Sequence, residues 1–75
     1  MQTLEITGYH AIVRVTGHEL IILNNALNEV CNGIEVPEFS TRMGAEHREV
    51  AEVLHQINGL IAIMEKRTGD RPSSG

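Results

Sequence analysis

A chain of 75 residues with a formal net charge of −4 has room for one domain and no more. At that size only about 60% of the unfolded surface is buried, so the core needs help from a disulfide, a metal or another chain. Ten acidic residues outnumber six basic ones and the only aromatics are Tyr9 and Phe39, which argues against a phosphate-neutralising or base-stacking nucleic-acid surface.

Residues 3 to 7 and 10 to 16 read as two short strands. In HAIVRVT, Ala11, Val13 and Val15 share one face, and Ile12 and Arg14 share the other. Gly8 and Tyr9 between them suit a tight hairpin turn, with a single ragged strand as the alternative. A two-stranded hairpin is not stable alone in water, so the segment must pack on helices or pair across an interface.

Thr16 with Glu19 three residues later makes a capping-box pattern. The helix it opens is expected to reach about Asn32, with Gly33 as its stop. At 100° per residue, Leu20, Leu23, Leu27, Val30 and Cys31 fall on one apolar stripe. The same run holds Asn24, Asn25, Asn28 and Asn32, a residue type that competes for backbone groups and weakens helices. Asn25 and Asn32 face solvent, whereas Asn24 borders the stripe and Asn28 follows one turn later. A half-buried amide has to find partners, because an unmet polar group costs about 1–3 kcal/mol. Two readings stay open: the pair bonds the connector that follows, or it recognises a ligand or partner.

Residues 34 to 44, IEVPEFSTRMG, form that connector. Pro37 forbids a continuing helix and pushes Val36 towards extended backbone, and Phe39 is the expected anchor. A second helix is expected from about Gly44 to Arg67, capped by Ser40 or Thr41. Its apolar pattern is wide: Val50, Ile57 and Met64 recur a heptad apart, with Val53 and Leu60, then Leu54 and Ile61, beside them. Such a stripe fits packing on the first helix, on a partner's copy, or on both. The tail TGDRPSSG has the composition of a disordered end, so the domain is expected over 1–68 and a disordered tail over 69–75.

Little in the chain points to catalysis. Cys31 sits on the apolar stripe and reads as a small core hydrophobe. Glu52 and His55 have the Glu-x-x-His spacing of carboxylate-bridged metal sites, but they face away from the stripe and read as solvent-exposed. His18 and His47 lie near helix starts and read as exposed too. The only aspartate is Asp70, and neither a serine elbow nor a glycine-rich phosphate loop is present. Arg42 is the one cation between the two helices. With Ser40 and Thr41 at a helix start it could hold a carboxylate or phosphate, although pairing with Glu35, Glu38 or Glu46 is the simpler outcome.

The run LNNALNEVCNGI, followed by EFSTRMG, resembles short bacterial proteins of no established function. The resemblance spans residues 16 to 60. It implies a bacterial or phage origin and one small fold containing both segments, and it carries no ligand or activity.

The expected fold is therefore α+β: a short β-hairpin or single strand, then two antiparallel α-helices, completed by dimerisation. A single cysteine precludes an internal disulfide and suits a reducing compartment, and neither a basic, apolar leader nor an 18-residue apolar run is present, so a cytoplasmic location is expected. The expected function is a non-enzymatic interaction or regulatory protein, inhibitor- or adaptor-like, working as a homodimer through a helix face. It needs no cofactor or metal, and neither nucleic acid nor membrane is an expected partner. The alternative is a small-ligand or anion-binding protein using Asn24, Asn28 and Arg42 near the connector.

Overall fold

Alternating residues at the amino terminus do form two strands, β1 (Gln2–Ile6) and β2 (Ala11–Arg14), paired antiparallel in a hairpin. The structure, a computed structural model, describes residues 1–69; the tail expected beyond them lies outside the described residues. Pairing runs Thr3 to Val13 and Ile6 to Ala11, with Gln2 opposite Arg14 and Glu5 opposite Ile12. A bulge between Thr3 and Glu5 resets the register. Directly opposed residues point to the same side of a sheet, so Thr3, Ile6, Ala11 and Val13 make one face and the more polar pairs make the other.

Gly8 and Tyr9 are the central residues of the turn, as expected, although the strands stop one residue short of it on each side. Four residues, Thr7 to His10, close it through Thr7 N–H to His10 C=O at 2.8 Å. The Thr7 hydroxyl accepts the N–H groups of His10 (2.9 Å) and Tyr9 (3.2 Å). The side-chain bonds hold the turn without a left-handed backbone at Gly8, and among the described glycines only Gly44 has positive φ.

Helix α1 (Gly17–Asn28) starts as the pattern predicts. The Thr16 hydroxyl accepts the Glu19 N–H at 3.1 Å, and Glu19 Oε1 accepts the Thr16 N–H at 3.0 Å. Its end differs from expectation. The chain widens into a π-helical turn over Glu29–Gly33, closed by Ile34 N–H to Glu29 C=O at 2.9 Å, and then becomes extended at Ile34. Gly33 lacks the left-handed backbone of a glycine cap. The Glu29 carboxylate lies over it instead, with Oε2 2.5 Å from where a Cβ would sit.

The connector contains a helix of its own, α2 (Phe39–Met43). Glu38 enters it with φ 52°, a left-handed conformation that costs a non-glycine residue about 1 kcal/mol. Gly44 leaves it with φ 72°, donating its N–H to Ser40 C=O at 2.8 Å. Ser40 and Thr41 therefore lie inside α2 and do not cap the long helix. That helix, α3 (His47–Gly69), begins three residues later than expected. At its start Glu49 Oε1 accepts the Glu46 N–H at 3.0 Å, while Glu46 C=O accepts the Val50 N–H.

Packing is concentrated where α1 meets α3, and among the described residues the buried side chains are Leu20, Val50 and Leu54, each 7% exposed. Two contacts set the antiparallel register: Met64 Cε lies 3.4 Å from a Cβ built on Gly17, and the His47 ring reaches Cys31. Every strand residue is exposed. The hairpin is tied to the helices by an ion pair from the Met1 amine to Glu19 Oε2. A radius of gyration of 15.2 Å is well above the about 11 Å of a compact 75-residue domain, and the thinnest dimension is 15 Å. The architecture is a two-stranded antiparallel sheet followed by helices.

Candidate functional site

The α1–α3 seam divides the surface of the helical pair into two faces. Leu20, Asn24, Leu27 and Cys31 line the seam from α1, and Val50, Leu54, Ile57 and Ile61 line it from α3, all buried or half-buried. A residue just before a seam position lies about 100° round its helix, and a residue just after lies 100° the other way. In an antiparallel pair of right-handed helices, the preceding positions of both helices fall on the same side. One face thus carries Leu23 and Ala26 from α1 with Val53, Leu60 and Ile63 from α3. The other carries Ile21, Asn25, Asn28 and Asn32 from α1 with His55 and Asn58 from α3, so it is mostly polar with one exposed isoleucine at its end.

The apolar face is left uncovered. Val53 is 47% exposed, Leu60 51% and Ile63 54%, values typical of polar surface residues and costly for branched aliphatic side chains. The amide face suits water. Asn28 Oδ1 accepts Asn32 Nδ2 at 3.0 Å, an i to i+4 contact along the helix surface.

Asn24 is the exception among the asparagines. It stands half-buried on the seam, and its Oδ1 is buried with no hydrogen-bond partner. The bond expected from Asn24 and Asn28 to the connector backbone is not made: Asn28 turns to Asn32 and the Asn24 oxygen is unmet. Arg42 is exposed on α2 and, among the described residues, takes part in no ion pair, so the pairing expected with Glu35, Glu38 or Glu46 does not form. No hydrogen bond joins Asn24, Asn28 and Arg42 to one another among the described residues. Arg42 also lies within the five-residue α2, not at the start of α3 where an anion site was expected.

His47, expected to be a solvent-exposed residue at a helix start, does more. It opens α3, and its Nε2 meets the Cys31 carbonyl at 2.9 Å. A carbonyl can only accept, so Nε2 carries the proton. The same ring packs on Phe39, centroids 4.9 Å apart and planes tilted by 46°. His47 thereby links the π-helical turn, the connector and the start of α3. Cys31 is a half-buried free thiol; the contact engages its backbone, not its sulfur.

Glu52 and His55 are exposed, and no group of three His, Cys, Asp or Glu side chains able to hold a metal occurs among the described residues. Among those residues, no helix is long and apolar enough to cross a membrane. One carboxylate is strongly perturbed. Glu19 is lowered to about 2, first by the hydrogen bond from the Met1 amine and then by the Thr16 N–H. It is a structural joint holding the hairpin to α1. Comparison of the chain with protein-family models, with curated proteins and with solved structures finds no match.

Proposed function

We propose that this chain is a non-enzymatic interaction or regulatory module, inhibitor- or adaptor-like, that works as a homodimer through a helix face. The observation that carries the reading is the uncovered apolar face of the helical pair beside a core of three buried side chains among the described residues. An enzyme orders polar groups around a reacting atom, whereas this molecule presents ordered aliphatic surface, the currency of protein association. Light scattering of the purified protein at micromolar concentration tests it. A mass of twice the 8.3 kDa chain is expected. A strictly monomeric species with intact helical circular dichroism would remove the homodimer from the reading.

A second reading, a binder of a small uncharged ligand or anion, is favoured by one observation, the unmet oxygen of Asn24. Thermal-shift assays with nucleotides and small anions separate the two. Stabilisation that is lost in Asn24→Ala supports the ligand; indifference to the whole panel sets it aside.

A further inference from the structure

The wide apolar pattern of α3 resolves into two stripes with different fates. The inner one, Val50, Leu54, Ile57 and Ile61, closes on α1. The outer one runs Glu49, Val53, Gln56, Leu60, Ile63 and Arg67, all exposed. Its spacing of four, three, four, three and four is the seam of a coiled coil. The charges at its ends are opposite, and the middle holds no charge.

That arrangement has a symmetry. Turned end for end about a point near Asn58, the stripe maps onto itself: Glu49 meets Arg67, Val53 meets Ile63, and Gln56 meets Leu60. A surface complementary to its own reversed copy is what a two-fold, isologous interface requires. A parallel alignment would instead set Glu49 on Glu49 and Arg67 on Arg67, and like charges would oppose it.

Area argues the same way. The chain exposes 6168 Å², whereas a folded monomer of 8.3 kDa exposes about 4,600 Å². The excess, to which the wholly exposed hairpin also contributes, is larger than the about 800 Å² that each partner contributes to a standard interface. From the structure we infer that α3 packs antiparallel on α3 of a second copy along this outer stripe, completing a four-helix arrangement. Leu23 and Ala26 of α1 flank the contact on the same face. Glu49 keeps one carboxylate oxygen on the Glu46 N–H and has its second for Arg67 of the partner subunit. The amide face, with Asn25, Asn28, Asn32 and Asn58, lies on the opposite side and stays open to solvent. The inference rests on the self-association proposed above and names its surface, orientation and register.

Sedimentation velocity over a concentration series tests it with four proteins: the unaltered chain, Leu60→Glu, Arg67→Glu, and Arg67→Glu with Glu49→Arg. Far-UV circular dichroism of each confirms the helices, which an exposed substitution at 60 or 67 leaves intact, and checks that α3 still forms in the double variant, which loses the Glu49 bond to the Glu46 N–H. Leu60→Glu is expected to weaken the dimer by about a hundredfold, since it places a charge at the centre of the contact. Arg67→Glu is expected to weaken it by about tenfold, acting at two symmetric ends, and the double reversal restores it. A dimer indifferent to Leu60→Glu forms on another surface, which overturns the face but spares self-association. A dimer sensitive at 60 that the double reversal fails to restore overturns the antiparallel register. A helical chain that stays monomeric overturns both this inference and the homodimer itself.

Discussion

The helical pair and the β-hairpin spend similar aliphatic side chains to opposite effect. In the pair, Leu20, Val50 and Leu54 meet across a seam and lose nearly all contact with water. In the hairpin, Leu4, Ile6, Ile12 and Val13 all remain exposed, although the strands pair through an antiparallel ladder broken only by the bulge between Thr3 and Glu5. The difference is cover. Two helices with 3.6-residue periodicity bury each other's stripes, while a two-stranded sheet has a second face and two edges that need another element. Here the hairpin is anchored to the helices by its Met1–Glu19 ion pair and held across its own strands by Arg14 to Gln2 at 3.0 Å, not by a core.

The sharpest test of that contrast is Leu54→Ala. Removing a buried leucine from a three-residue core is expected to cost about 2–4 kcal/mol, read as a lower midpoint in urea. A loss below about 1 kcal/mol would mean the seam is not what holds the pair together. Next comes Asn24→Leu, which replaces an unmet buried oxygen on the seam with an apolar side chain. A gain of about 1–3 kcal/mol is expected; destabilisation would show that the amide has a partner in solution.

The joint between the regions gives a smaller effect. Thr16→Ala removes the cap of α1 and is expected to cost about 1 kcal/mol by the same denaturation assay. The other half of the box titrates. Because Glu19 is lowered to about 2 in the folded chain against 4.5 for the free group, its contribution is complete above about pH 4.5. It is lost as pH falls through 2, and Glu19→Gln should flatten that acid limb of the helical signal. The smallest expected effect is in the hairpin, where Val13→Ala should cost about 0.5 kcal/mol or less. A cost close to that of Leu54→Ala would mean the strand face is covered in solution and the contrast fails.

Much of this was legible locally. The capping box at Thr16 and Glu19, the alternation in HAIVRVT and the helical stripe through Leu20 and Leu27 each depend on neighbours a few residues apart, so composition and spacing suffice to read them. Gly44 is a boundary by its turn chemistry, yet it closes α2 instead of opening α3, because Glu46 and Glu49 supply a start for α3 at His47, three residues later. The π-helical turn was not legible. At it the Cys31 carbonyl meets His47 sixteen residues away, with Phe39 against the same ring, and no local pattern encodes that meeting.

The asparagines mark the same boundary. By itself the sequence determines that the run from Asn24 to Asn32 is helical and that its amides occupy particular angles on the wheel, because helix geometry is a short-range property. Whether an angle is wet or dry depends on which side of α1 receives α3, and that is decided by packing at long range. Tertiary structure puts Asn25, Asn28 and Asn32 on a solvated face and leaves the Asn24 oxygen buried and unmet beside the seam. It likewise splits one broad apolar stripe of α3 into a half that is covered and a half that is not, since a single neighbouring helix can shield only about a third of a helix's circumference.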